Sequence, residues 1–184
     1  YCRLYPAVSL DLILDNRKID LVAEGVDLAL RVSSVDLPPT LIVRPLSEIV
    51  FYLVGETEYL QRHGTPATPQ EILTHNFVQA SYVDMEHIKI SRDGEHFTLT
   101  PNSTIRADNT PMVREMVLAG GGLGYLPAWT VKRDLDSGRL VRLLPEWRIP
   151  SATLYAAYAD RAFLSAKIRS FIDFLVEKIR QEAV

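Results

Sequence analysis

The stretch VSLDLILDNRKIDLVAEGVDLALRV, residues 8–32, decides the fold class. Val8, Leu10, Leu12 and Leu14 alternate with Ser9, Asp11 and Asp15, the period of two expected of a strand. Asp15 or Asn16 can then cap a short helix that sets Ile19, Val22 and Ala23 on one face and stops at Gly25. Asp27 to Val32 forms the next strand. Strand, helix and strand within about 25 residues make a βαβ unit, which predicts a parallel sheet with helices on it.

Outward from that unit, Pro38 and Pro39 punctuate a loop, and Leu41 to Val54 is almost continuously apolar. That run is long for one strand, so we expect a strand that bends or passes from one lobe into another. Thr57 to His63 reads as a short helix closed by Gly64, and Thr68-Pro69-Gln70-Glu71 as a capping box with proline at the first helical position. Short strands fill Asn76 to Asp108, with Asp93-Gly94 as a hairpin turn. A helix opens at Thr110-Pro111, its inner stripe Met112, Val113, Met116 and Val117, and breaks at Gly120 to Gly124. Tyr125-Leu126 is a buried strand before Pro127. A helix to about Asp136, a Ser137-Gly138 turn, and strands over Arg139 to Leu144 and Ala152 to Ala159 follow. The last helix is the clearest: Ile168, Phe171, Ile172, Leu175, Val176 and Ile179 form one stripe behind a Ser165 cap. No internal repeat or low-complexity linker appears, so two lobes would be joined by crossing strands rather than by a tether.

The 184 residues can bury a sizeable core, and 47% apolar with 23% charged residues is globular composition. Twenty basic against twenty-three acidic residues leave a net charge of −3, the wrong sign for a chain that binds nucleic acid by itself. Cys2 is the one cysteine, which excludes an intrachain disulfide and a cysteine-rich metal site. No apolar run reaches the roughly 18–20 residues of a membrane span, and no secretory pattern opens the chain. We therefore expect a cytoplasmic location and no membrane partner.

The glycine cluster is no phosphate loop. Such loops run from strand to helix, and here a helix runs into glycines and then a strand; a helix stop is the better reading. His63, His75, His87 and His96 lack metal-ligand spacing, and no nucleophile elbow accompanies Cys2. Neither a metal, a cofactor nor catalytic machinery is expected. Helix starts are more promising, since ligands of open α/β sheets sit beyond the carboxyl ends of strands. Asn16 and Arg17 mark one such junction and Asp108, Asn109 and Thr110 another, although plain capping explains those residue types as well. Arg31 could neutralise an anionic ligand or equally serve a surface ion pair with Asp27 or Asp36.

Four blocks carry a resemblance. They are Tyr5-Pro6-x-Val8 running on through Asp15-x-Arg17-x-Ile19-Asp20-Leu21-Val22-x-Glu24-Gly25-x-Asp27-Leu28-Ala29-Leu30-Arg31; Tyr59-Leu60-x-Arg62-His63-Gly64-x-Pro66-x-x-Pro69 with the later His75; Ala107-Asp108-Asn109; and Val117-x-Ala119-Gly120-x-Gly122-Leu123-Gly124-Tyr125-Leu126-Pro127. Together and in this order they resemble the effector-binding domain of LysR-type transcriptional regulators, over nearly the whole chain.

The resemblance implies an α/β, two-lobed fold similar to the type 2 periplasmic binding proteins. Residues 1–52 with 157–184 would form the first lobe and 53–156 the second, two crossover strands joining them. It places a small effector in the cleft, against Asn16, Arg17, Arg31 to Ser33, Ala80 to Tyr82 (Ser81 and Tyr82 above all), and Asp108, Asn109 and Thr110. An organic carboxylate is the class that Arg31 and the helix starts suit. The family pairs such domains head to tail as homodimers or larger oligomers, and Val8 to Leu14 and the helix Thr110 to Ala119 are the candidate surfaces here. Family members also carry a DNA-binding winged helix-turn-helix, then a strand and helix ahead of the Tyr-Pro motif; we expect that domain, the strand and most of the helix to fall outside these 184 residues, so contact with DNA would run only through the N-terminal domain. The implied function is effector sensing by a transcription regulator, not enzymatic turnover; the alternative is a free-standing solute-binding protein of the same fold.

Overall fold

The structure, a computed structural model, describes residues 1–15, 20–33, 41–83, 88–159 and 165–182. The chain divides into unit 1, Tyr1–Ile49 with Ala152–Val184, and unit 2, Val50–Ser151. It passes between them at Ile49/Val50 and Ser151/Ala152, where the sequence suggested 52/53 and 156/157.

Unit 1 holds β1 (Ala29–Ser33), β2 (Leu41–Ile49), β10 (Ala152–Ala159) and α5 (Ala166–Glu182). Its sheet has the order β1-β10-β2, and β10 runs antiparallel to both neighbours. Pro45 has no N–H to give the ladder, and the register with β10 slips beside it, between Leu154 and Tyr155. The apolar stripe of α5 is half-buried along its length, with Ile172 fully buried. The cap is as expected, Ser165 Oγ accepting from Ile168 N at 3.5 Å. Tyr1 packs its ring on Phe171 and Phe174 and shares a 2.6 Å hydrogen bond with Ser170 Oγ.

Two expectations for unit 1 fail. Val8 to Leu14 is not a strand: the segment has no ladder among the described residues, and Leu12, Ile13 and Leu14 stand largely exposed. Alternation marks a chain suited to a sheet, but a strand exists only where a neighbour supplies hydrogen bonds. The parallel βαβ unit therefore falls as well, and β1 finds its partner in the distant β10 instead. The helix start lies partly outside the described residues, as do Pro38 and Pro39. What is described is a single turn whose cap is Asp20, its Oδ1 accepting from Val22 N (2.9 Å) and Ala23 N (3.2 Å), with Gly25 at φ 66° closing it.

The apolar run from Leu41 is two strands, β2 and β3 (Phe51–Glu56), which meet at Val50 where the chain leaves unit 1. Unit 2 continues with α1 (Thr57–His63), α2 (Pro69–Ile72), β4 (Phe77–Ala80), the hairpin β5 (Lys89–Arg92) and β6 (Glu95–Thr98), β7 (Ser103–Ala107), α3 (Thr110–Leu118), β8 (Leu123–Pro127), α4 (Ala128–Asp136) and β9 (Leu140–Leu143). The sheet order is β7-β4-β8-β3-β9. Around β4 the neighbours are parallel, and around β3 they are antiparallel. Both faces are covered, so each strand alternates between two cores. Leu53, Phe77, Leu123 and Tyr125 pack with α1, α2 and the hairpin, while Val54, Val78 and Leu126 pack with Val113, Val117 and Val131 of α3 and α4. Met112, expected on the inner stripe of α3, is exposed. It lies in the first turn, where the helix has only just left the end of β7 and has little sheet to cover.

Local signals elsewhere hold. Gly64 closes α1, and Asp93 (φ 49°) and Gly94 (φ 87°) form the left-handed pair of the hairpin turn. Thr68 caps Glu71 N, while the Glu71 carboxylate reaches back to Ala67 N at 2.8 Å, one residue before the standard capping box. The glycine cluster is a helix stop: Gly121 N donates to Met116 O (3.0 Å) and Gly120 N to Val117 O (2.9 Å), with Gly120 at φ 77°.

One charge is buried among these layers. Asp134 of α4 has no exposed surface, and its two oxygens accept from Arg114 of α3 at 2.7 and 2.8 Å in a bidentate pair, with Arg139 on the same carboxylate. Asp134→Asn would take the buried counter-charge from Arg114 and Arg139 and leave Arg114 only its pair with the exposed Glu115. We expect a loss of about 3 kcal/mol in urea unfolding, followed through Trp129 and Trp147, both of which lie in unit 2; an unchanged midpoint would refute the assignment.

Candidate functional site

Parallel pairing aligns the carboxyl ends of β4 and β7. Ala80 stands opposite Ala107, and the ladder is prolonged past the end of β4 by Ser81 N donating to Ala107 O at 2.8 Å. This edge of unit 2 therefore assembles residues that are distant in sequence: Ser81 and Tyr82 after β4, and Asp108, Asn109 and Thr110 between β7 and α3. The Tyr82 hydroxyl is hydrogen-bonded to Thr110 Oγ1 across 28 positions of sequence. Tyr82, Ser81, Asp108 and Asn109 are exposed, and Thr110 is half-buried.

Asn109 has a double duty. Its Oδ1 caps α3 by accepting from Met112 N at 2.8 Å, and its Nδ2 donates to Asp108 Oδ1 at 3.1 Å. Pro111 has no N–H, and Val113 N already donates to Asn109 O. Of the donors a helix start normally leaves open, only the N–H groups of Asn109 and Thr110 remain for this edge. The capping role is thus realised by the same residues that form this edge.

In unit 1, Arg31 and Ser33 fall on the same half-buried face of β1, opposite Tyr155 and Thr153 of β10, while Leu30 and Val32 face outward. Asp27, considered as a partner for Arg31, is paired with Lys167 at 3.0 Å. Asn16 and Arg17 lie outside the described residues. The structure thus brings together the five candidates of unit 2 and, separately, the two described candidates of unit 1.

The histidines include a feature that spacing does not reveal. His75 is buried, and its Nδ1 lies 3.3 Å from the Tyr59 hydroxyl, whose ring also stacks on His63. Tyr59 and His75 share that one hydrogen bond, and which of them donates depends on the imidazole tautomer. Burial pushes the Tyr59 hydroxyl pKa up; burial, with a smaller contribution from His63, holds the His75 imidazole below its ordinary value. His63 and His96 are exposed, and His87 lies outside the described residues. No group of three or more His, Cys, Asp or Glu that could hold a metal ion occurs among the described residues. Among them, too, no helix is long and apolar enough to cross a membrane.

Comparison with known proteins fits this architecture. Residues 1–180 match the family described as the LysR substrate binding domain. The chain is 33% identical over 180 residues to a probable HTH-type transcriptional regulator LtrA of Klebsiella pneumoniae, covering 95% of this chain and 58% of that protein. It is 30% identical over 190 residues to the HTH-type transcriptional regulator PtxR of Pseudomonas aeruginosa, covering 99% and 58%. The regulatory domain of CrgA, a LysR-type transcriptional regulator from Neisseria meningitidis, superposes with a TM-score of 0.83 at 26% identity, over 96% of this chain and 87% of that one. The chain thus spans 58% of the length of the curated relatives it matches. Those relatives are transcriptional regulators, not free-standing solute-binding proteins.

The buried imidazole has a consequence for pH dependence. In the unfolded chain His75 takes up a proton near its ordinary value of 6.5, while in the folded chain it does so only at lower pH. Its contribution to stability is complete above pH 6.5 and is lost as pH falls through the folded value. We expect His75→Asn, which keeps an acceptor for Tyr59 but cannot titrate, to flatten the decline of Tm below pH 6.5. Parallel Tm–pH curves for the two proteins would contradict this.

Proposed function

The chain belongs to the LysR substrate-binding domain family and is an effector-binding domain of the LysR type, with the α/β fold of the type 2 periplasmic-binding-protein class; from that premise we propose how it senses. The carboxyl edge of unit 2 holds a polar group of a small organic effector on Tyr82, Thr110, Ser81, Asp108 and Asn109. In unit 1, Arg31 and Ser33 are effector contacts on their face of β1, and Asn16 and Arg17 complete the set. The observation that carries this reading is the Tyr82–Thr110 hydroxyl pair, built from two separate loops at the edge where sheets of this kind take ligands.

The effector is an organic carboxylate, its acid group facing Arg31, whose guanidinium can bind a carboxylate in bidentate fashion. The chain's role is sensing rather than turnover, a reading supported by its relatives being transcriptional regulators. It works in the cytoplasm as one module of a homo-oligomeric regulator that reaches DNA through its helix-turn-helix domain. The exposed apolar row of Leu10, Leu12, Ile13 and Leu14, together with α3, supports pairing of two copies. A ligand that favours one geometry shifts the population of DNA-competent oligomers by its difference in affinity.

A thermal-shift screen of organic acids, amino acids and aromatics tests the reading, since a ligand of the folded state raises Tm. A carboxylate should stabilise the chain while its amide does not. Tyr82→Phe with Thr110→Val should weaken that ligand about tenfold, the cost of one or two hydrogen bonds, and leave the ligand-free Tm nearly unchanged. No stabilising compound for a folded sample would overturn the reading.

A further inference from the structure

At the opposite, amino edge of the same parallel strands lies a cavity of about 340 Å³ that the effector reading does not use. Tyr59 and His63 of α1, residues 74–76 ahead of β4, and Gly120–Gly121 after α3 line it. Several of its polar groups are already committed. The Asn76 side chain is bonded to Gly121 O and to Thr104, and the Thr74 hydroxyl donates to Glu71 O at 2.8 Å. Thr74 Oγ1 therefore turns lone pairs outward.

Two imidazoles line the cavity, and a guanidinium stands beside its floor. In the tautomer in which His75 Nδ1 accepts from Tyr59, the imidazole proton sits on Nε2. His63 is exposed at the rim. The Arg62 guanidinium lies over the glycine floor, one nitrogen standing 3.3 Å from where a Gly120 side chain would begin. Arg62 makes no ion pair with any described residue, and the Glu71 carboxylate, whose field reaches His75, is held by Ala67 N. A side chain at Gly121 would strike Met116 O at 2.8 Å, so the floor stays bare for steric reasons.

We propose that this cavity is a second ligand site, taking a small oxyanion (a carboxylate or phosphate group) held by Arg62, His63 and His75 over the Gly120–Gly121 floor. Its size suits a compact metabolite at the lower end of ligand-pocket volumes. The Thr74 hydroxyl can accept from a hydroxyl on the same ligand.

The test follows the imidazole resonances of His63 and His75 by NMR, while sodium phosphate or sodium malate replaces chloride at constant ionic strength and neutral pH. We expect saturable shifts at both histidines, with the better-binding anion distinguishing phosphate from carboxylate recognition. Arg62→Ala should weaken binding at least about tenfold, as expected for loss of a charge-assisted hydrogen bond. The Tyr82→Phe, Thr110→Val protein should titrate like the parent, so this proposal and the effector reading stand or fall separately. Linear, non-saturating shifts with both anions, or equal affinity for the parent and Arg62→Ala, would overturn it.

Discussion

Everything at either edge of unit 2 depends on how one residue ties three strands together at their amino ends. Asn76 O accepts from Leu123 N at 2.9 Å, its Nδ2 donates to Gly121 O, and its Oδ1 accepts from Thr104 Oγ1 at 2.6 Å. These bonds tie the start of β4 to β8 on one side and to β7 on the other. They require the chain at Gly122 to come so close that a Cβ there would stand 2.4 Å from Asn76 O, in a backbone region (φ 140°) that suits only glycine. β4 and β7 are parallel, and the register shift after Phe77 absorbs the one extra residue of β7, so pinning their starts also aligns their ends. The meeting of Tyr82 with Thr110 is thus set in part by a clasp at the far end of the strands.

Burial on both faces makes that alignment stiff. Val78 and Leu126 must meet α3 and α4 while Phe77 and Tyr125 meet the α1 side, so a slip of one residue would turn every apolar side chain to the wrong core. The buried Asp134 adds a directional element that apolar packing lacks, because a bidentate pair with Arg114 fixes α4 against α3 in angle as well as distance. The start of α3 is therefore held from two sides, by its strand and by its neighbouring helix. Hydroxyl positions at that start are correspondingly well defined.

What was legible in the sequence divides along a physical line. Caps and turns are decided by a few adjacent residues, so Thr68, Asn109, Ser165, Gly64 and Asp93-Gly94 could be read directly. Strands are decided by partners, and nothing within Val8 to Leu14 says whether a partner is there; the same alternation in β3 and β4 is real because two cores exist to receive it. The break at Val50 was hidden because the residues on both sides are apolar. The Tyr59–His75 pair and the Arg114–Asp134 pair were invisible for the same reason, their members lying 16 and 20 positions apart with no local signature. As for the site, the residues of the unit 2 edge were named through family resemblance, and their contact with one another is a product of the parallel register.

That contact also changes what the edge can recognise. Helix starts in open α/β sheets are usually treated as anion sites because unpaired N–H groups and the dipole converge there. At α3 the cap of Asn109 takes Met112 N, Pro111 has nothing to donate, and the Asp108 carboxylate stands next door. The positive end of the helix is thus partly spent and partly opposed. A carboxylate placed directly on it would meet one negative charge and few donors, whereas a hydroxyl or carbonyl would find the Tyr82–Thr110 pair ready to exchange hydrogen bonds. This edge of unit 2 is therefore better suited to a neutral polar group than to an acid group.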